Sequence, residues 1–335
     1  MSNKLSVLSY RVIRPLYERT SLHRGVIDEV QAPELRGAYD YCRKITRHHA
    51  KTFYMATRFL PYHKQRSIFA IYALCRFLDN TVDEAQASTT GDAQGVDNIQ
   101  ETLSAWRDKL QATYDGQMSD SPILLAFSDV LRRHHISMSL PLQLIDGVGM
   151  DLYKSRYDTF EELYDYSYKV ASVVGLMISE VFGYSDDSAL EHAVDLGIAM
   201  QLTNILRDIG EDLKRDRIYL PAEDLRSFDV SEADLMAHRV TPEFANLMKF
   251  QIARARAYYE SADKGIALLS KDSQIPVYLA RHNYARILDQ IETNGYGVFD
   301  HRAHLTFTQK MGILPKVLWN KSQSKLDRKS FQNSQ

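Results

Sequence analysis

The chain of 335 residues is 44% hydrophobic and 25% charged, the composition of an ordinary globular protein, which excludes disordered and fibrous architectures. Its 41 Lys and Arg against 43 Asp and Glu leave a formal charge of −2, so nothing in the balance calls for nucleic acid as a partner. Two cysteines, Cys42 and Cys75, form neither a disulfide framework nor a C-x-x-C metal spacing, and they fit a reducing cytoplasm.

Residues 1–24 carry Lys4, Arg11, Arg14, Arg19 and Arg24 among Leu, Val, Ile and Tyr, with Glu18 the only acid. The segment reads as basic and amphipathic, with three readings open: a membrane-surface element, an ordinary surface helix or frayed end, and a cleaved transit peptide. No apolar run approaches the roughly 20 residues needed to cross a bilayer. Nine prolines leave long intervals of helical periodicity, and sustained strand alternation is missing, so the chain is expected to be all-α. Residues 86–98, polar and rich in small side chains, are expected to form a loop between two helices. The last residues, Lys321 to Gln335, read as a solvated basic tail.

Two segments carry chemistry. Tyr72-Ala-Leu-Cys-Arg-Phe-Leu-Asp79-Asn-Thr-Val-Asp83 and Gln201-Leu-Thr-Asn204-Ile-Leu-Arg-Asp208-Ile-Gly-Glu-Asp212 each set two aspartates four residues apart. On a helix, Tyr72, Arg76, Asp79 and Asp83 share one stripe, as do Gln201, Asn204, Asp208 and Asp212, each within about 80° of arc. Leu74, Phe77 and Leu78, and Ile198, Leu202, Ile205 and Leu206, supply apolar faces that make both helices core elements. Carboxylates about 6 Å apart repel by roughly 3 kcal/mol at an effective dielectric near 20, which favours a divalent cation or protonation. Oxygen-only ligands select Mg²⁺ over zinc, and Mg²⁺ is usually shared with substrate phosphates, so the stripes point to a phosphate-bearing ligand. One such pair alone reads as ordinary ion pairing with Arg76 or Arg215; two matched pairs on apolar helices reverse that.

Rival chemistries find less support. His48-His49 and His134-His135 are adjacent and diverge by about 100° on a helix, which defeats the H-x-x-x-H metal geometry. No G-x-S-x-G elbow is present, and Cys75 reads as a small buried hydrophobe.

Together these motifs resemble the head-to-head prenyl diphosphate synthases, the squalene, dehydrosqualene and phytoene synthases. The resemblance runs from about His48 to Lys310 and rests on His49-Ala-Lys-Thr-Phe53, the first aspartate motif with Arg76, Gly149-Met-Asp-Leu152, Tyr166 to Gly175, Gln201 to Asp212, and Arg217-Ile-Tyr-Leu-Pro221. The stretch from Tyr284 through Gly295-Tyr296 to Arg302 and Lys310 is similar to the carotenoid branch, and Asn204 to Asp212 to its phytoene-forming members. The resemblance implies a single all-α isoprenoid-synthase domain at 31–315 with a central cavity, flanked by the basic segment 1–30 and a basic tail 316–335.

It further implies a Mg²⁺ cluster, with Mn²⁺ able to substitute, held by Asp79, Asp83, Asn204, Asp208 and Asp212. His49, Ala50, Lys51, Thr52, Phe53, Tyr72, Arg76, Tyr166, Val170, Val174, Gly175, Gln201, Arg207 and Tyr284 would bind the prenyl diphosphates. Asp79, Asp83, Asp208, Asp212, Arg76 and Tyr72 would carry the catalysis, with Met177 a further wall residue. Two geranylgeranyl diphosphates would condense through prephytoene diphosphate to phytoene. The near alternative is squalene or dehydrosqualene synthesis from two farnesyl diphosphates, and only squalene would need NADPH. The alternatives of other kinds are a noncatalytic helical assembly at a membrane surface and a terpene cyclase. A water-insoluble product implies a cytoplasmic protein attached peripherally to a membrane. The sequence departs from the family at Ser172, Asp216 and Asn80, where Gly, Gly and an acid are usual, and Ser172 bears on product size.

Overall fold

The computed structural model describes residues 21–88, 93–300, 302, 303 and 305. Among them the chain is a succession of helices: α1 Ser21–Asp28, α2 Pro33–His49, α3 Lys51–Thr57, α4 Tyr62–Ser88, α5 Ala93–Tyr114, α6 Pro122–Arg133, α7 Ser139–Met150 and α8 Phe160–Ser167. A π-helical turn, Tyr168–Ser172, leads into α9 Val173–Phe182, followed by α10 Ser188–Leu213, α11 Ala222–Ser227, α12 Glu232–Met236, α13 Pro242–Ile266 and α14 Gln274–Thr293. The starts follow local chemistry. Pro33, Pro122 and Pro242 occupy first turns, where a missing N–H costs nothing. Thr159 and Thr241 accept from backbone N–H groups of Glu162 and Phe244, and Ser231 with Asp234 closes a capping box.

Two apolar clusters organise the packing. One gathers α1, α2, α4, α6 and α7 around Tyr39, Phe69, Leu74 and Phe127, all almost fully buried. The other gathers α8, α10, α13 and α14 around Leu206, Phe244, Ile252 and Leu288. Tyr168 and Leu196 pack against both, so the π turn and α10 form the wall between them. Burial of these apolar surfaces at roughly 25 cal/mol per Å² holds the two halves together. The helices that bear the two aspartate stripes, α4 and α10, thus each have an apolar back and a polar front.

The all-α expectation agrees with the described residues, where the only β features are isolated bridges of Arg156 with Ile218 and Tyr184 with Leu269. The expected loop at 86–98 is corrected. α4 runs on to Ser88 and α5 begins at Ala93, because the Ala and Gln of this stretch are good helix formers. Val26, Ile27 and Val30 are buried in the first cluster, and the Arg66 guanidinium donates to the Val26 carbonyl. No helix among the described residues is long and apolar enough to cross a membrane. The basic stretch before Ser21 and the tail beyond Leu305 lie outside the described residues.

Candidate active site

The first stripe lies on α4. Tyr72 is half-buried with its ring 5.7 Å from Phe53 of α3, and Arg76 Nη1 donates to Asp79 Oδ2 at 2.7 Å. Arg76 Nε is buried without a hydrogen-bond partner. Asp83 is on the same helix, one turn on, but its side chain lies outside the described residues, as does that of Thr52. α2 ends at His49, Ala50 caps it with an N–H donated to Thr46, and Lys51 opens α3. Partial burial lowers the His49 imidazole pKa, with Arg76 and His48 adding to the effect. The α2–α3 corner is therefore beside Arg76.

The second stripe lies on α10. Asn204 Nδ2 donates to Gln201 Oε1 at 3.3 Å, while Asn204 Oδ1 is buried and unpartnered. Asp208 accepts from Arg207 at 2.7 and 2.6 Å and from Arg302 Nη2 at 2.8 Å, with Arg302 Nε a further 2.7 Å ion-pair contact. Burial and the charge of Asp208 push the Asp212 carboxyl up to about 7, against the opposing pull of Arg217 and Arg215. Arg302 reaches α10 because Gly210 lets the chain cross it; a Cβ there would stand 2.0 Å from the Phe299 carbonyl oxygen.

Tyr284 of α14 joins the stripes electrostatically, since it lies close enough to act on both Tyr72 and Arg207. Burial pushes the Tyr72 phenol up to about 12; Arg76 pulls it down and Tyr284 adds to the rise. α3, with Lys51 and Phe53, packs on α14.

A third group flanks the second stripe. Tyr166 and Tyr219 each donate to one carboxylate oxygen of Asp151, at 3.1 and 2.9 Å, and Arg217 donates to the Asp151 carbonyl. Tyr157, Tyr166 and Tyr219 stack with centroids 5.3 to 5.7 Å apart. Burial raises the Tyr166 phenol pKa, and Asp151 raises it further, so this hydroxyl stays protonated. Sequence reasoning gave Asp151, Tyr219, Arg217 and Arg302 no role of their own, although their motifs were visible; the convergence of three segments on one carboxylate has no linear signature.

Val170 packs on Gly147, and Gly175 lets α9 approach α10, where its Cβ would meet the Ala193 carbonyl at 3.1 Å. Val170 and Val174 belong to different clusters, which puts them on either side of the wall. Met177 is fully buried core. Among the described residues no three His, Cys, Asp or Glu side chains converge to hold a metal ion. The donor chemistry nevertheless suits one: Asn204 Oδ1 lacks a partner and Asp212 lacks sufficient positive charge, both being hard oxygen ligands on one face.

The squalene/phytoene synthase family matches residues 46–309. The 15-cis-phytoene synthase of Synechocystis sp. is 44% identical over 298 residues, covering 85% of this chain and 86% of its own. The phytoene synthase of Arthrospira platensis is 42% identical over 291 residues, 83% and 91% of the two chains. Among solved structures, a dehydrosqualene synthase in complex with a ligand superposes with a TM-score of 0.77 at 27% identity, covering 86% of this chain and 98% of that one. A squalene synthase from Alicyclobacillus acidocaldarius gives 0.72 at 28% identity, covering 81% and 98%.

Proposed function

The chain belongs to the squalene/phytoene synthase family, and from that premise we propose that it joins two geranylgeranyl diphosphates head to head, through prephytoene diphosphate, to phytoene. The carrying observation is the 44% identity to a 15-cis-phytoene synthase over most of both chains, with Gln201 to Asp212 intact.

Asp79, Asp83, Asn204, Asp208 and Asp212 would hold Mg²⁺, which when bound supplies the Lewis acidity that stabilises a departing diphosphate. Arg76 and Arg207 carry fixed positive charge and can donate to phosphate oxygens, the geometry that favours Arg over Lys. His49, Lys51, Gln201 and the Tyr72 and Tyr284 hydroxyls complete the donor set for the diphosphates. Phe53, Tyr166, Val170, Val174 and Gly175 would line the path of the prenyl tails. The faces of Phe53 and Tyr166 stabilise a carbocation, and the Val170 and Val174 side chains offer it no nucleophile. The Tyr166 phenol, held by Asp151, is positioned and kept neutral beside the second stripe. No hydride donor is needed to reach phytoene, so NADPH has no part. Because the product is a hydrocarbon, the protein is expected in the cytoplasm at a membrane surface.

Incubating the purified protein with Mg²⁺ and either geranylgeranyl or farnesyl diphosphate, with and without NADPH, tests this. Phytoene from geranylgeranyl diphosphate alone is the expected result; a C30 product formed only from farnesyl diphosphate overturns the product assignment. D79N and D208N should each lower turnover by about 10²-fold or more, whereas a noncatalytic assembly protein would keep its biological activity.

A further inference from the structure

Between Asp40 and Asp79 the sequence holds no acidic residue, yet it carries eight cations: Arg43, Lys44, Arg47, Lys51, Arg58, Lys64, Arg66 and Arg76. α3 lies in the middle of this stretch and has two faces. Its inner face is spent on packing, with Phe53 against Tyr72, Tyr54 stacked 5.3 Å from Phe69, and Ala56 and Thr57 buried. Its outer face repeats every four residues: Lys51 is exposed, Met55 is 40% exposed and Phe59, just beyond the helix end, is 46% exposed. Two large apolar side chains are thus left outward on a short helix whose other side roofs the site.

Lys51, one turn before Met55, and Arg58 flank this pair. The Arg58 guanidinium lies 3.7 Å from Met55 Sδ, and Arg43, Arg47 and Arg58 are all near enough to the Tyr54 phenol to oppose the rise that burial gives its pKa. On α2, Lys44 and Arg43 are paired with Asp40 at 2.7 and 2.6 Å, and Tyr41 beside them is 46% exposed. Exposed apolar side chains flanked by Lys51 and Arg58, with Asp40 occupied by Arg43 and Lys44, match the interface of an anionic bilayer, where apolar groups enter the headgroup boundary and Lys or Arg meet lipid phosphates. A second copy of the chain is a poorer occupant, since a two-fold contact would set this cationic surface against itself.

We propose that the outer face of α3 and the adjoining C-terminal end of α2 dock onto an anionic phospholipid surface, with Met55 and Phe59 inserted and Arg47, Lys51 and Arg58 facing the phosphates. The proposal rests on and deepens the reading of the site as a prenyl diphosphate synthase, because it sets the helix that carries Lys51 and Phe53 against the phase that dissolves substrate tails and product.

The test is flotation of the full-length protein, without substrate, with vesicles of phosphatidylglycerol mixed with phosphatidylcholine and of phosphatidylcholine alone. The wild type should float with the anionic vesicles only, and less so in high salt. Met55→Ser with Phe59→Ser should weaken binding about tenfold or more, as expected for withdrawing two large apolar groups. Met55→Leu with Phe59→Leu should retain it. Both doubles should match the wild type in thermal melting and in detergent-supported turnover, which separates lost docking from lost fold. Equal flotation of the serine double, loss of flotation only on deleting residues 1–24, or a dimer that the serine double dissociates would each overturn the proposal. Absent turnover in detergent with flotation intact would instead count against the enzymatic reading.

Discussion

Arg302 grips Asp208 with a hydrogen bond from Nη2 to Oδ2 at 2.8 Å and an ion-pair contact of Nε with Oδ1 at 2.7 Å, although 94 positions separate them in the chain. Arg207 binds the same carboxylate from the adjacent position. The central acid of the second stripe is therefore held between two guanidiniums, and the chain segment that brings the second one is seated against Gly210.

Replacing Arg302 with Gln should leave Asp208 oriented by Arg207 alone and remove one cation from the diphosphate region. Losing a charge-assisted pair of this kind costs roughly 1.5 to 3 kcal/mol, or about 10- to 100-fold in kcat/KM. The larger share should fall on KM for geranylgeranyl diphosphate, with the melting temperature nearly unchanged, because Arg302 is about half exposed. Steady-state kinetics beside thermal melts check this. An unaltered KM would mean that Arg302 serves only to seat the segment.

Far from the site, Asp129 joins α2 to α6. It accepts from Tyr39 at 2.8 Å, from Arg132 at 3.2 Å and from Arg133 at 2.9 Å. Burial alone would raise its pKa, but the hydrogen bonds from Arg133 and Tyr39 outweigh that, and the carboxyl sits below its ordinary value. A depressed carboxylate adds stability that is full above the unfolded pKa, about 4, and is lost as pH falls through the folded value. Asp129→Asn should therefore destabilise by roughly 1 to 3 kcal/mol at pH 7 and flatten the acid limb of the stability curve. Urea unfolding of both proteins across the acid range measures it.

Asp216 occupies a left-handed backbone conformation, φ 54°, where the family pattern carries Gly. Asp is among the few side chains that tolerate this region, and Arg156 Nη2 donates to its Oδ1 at 2.7 Å. That ion pair is largely exposed and contributes little, whereas the positive φ costs any side chain more than glycine. Asp216→Gly should then be neutral or stabilising by about 0.5 to 1 kcal/mol, read from the denaturation midpoint, with turnover preserved. A clear loss of stability would show that Arg156 depends on this partner.

What was legible in the sequence was whatever repeats along one helix. The stripes of α4 and α10 follow from spacing alone, and so do their apolar backs. The corner at His49 to Phe53 took its place from motif resemblance, since nothing local says that it stands beside Arg76. Illegible were the groupings that need three or more segments. Asp151 sits at the end of α7, Tyr166 in α8 and Tyr219 before α11, and only the folded chain brings their oxygens within hydrogen-bonding distance. Arg302 is hidden for the same reason. The 86–98 stretch misled because its Ala and Gln, read there as small and polar, are good helix formers, and α4 reaches Ser88 while α5 starts at Ala93.

Ser172 decides a question that the sequence left open, whether its extra hydroxymethyl narrows the pocket. The residue is fully buried, and its Oγ donates to the Val194 carbonyl of α10 at 2.8 Å. Directly opposite is Gly197, where a Cβ would fall 2.5 Å from Ser172 Cα, so the π turn and α10 touch backbone to backbone. The hydroxyl is thus spent on the wall between the two halves of the bundle. Ser172→Gly should remove one buried hydrogen bond and add backbone freedom to a helical position, destabilising by about 1 to 2 kcal/mol. It should leave the length of the hydrocarbon product unchanged. Gly197→Ala is the stringent counterpart, because no rotamer change relieves a clash with backbone, and α10 would have to shift with Gln201 one turn away and Asn204 two. That variant should lose both stability and turnover. Product analysis beside chemical denaturation of the two variants separates these outcomes, and a longer or shorter product from Ser172→Gly would show that position 172 faces the prenyl tail after all.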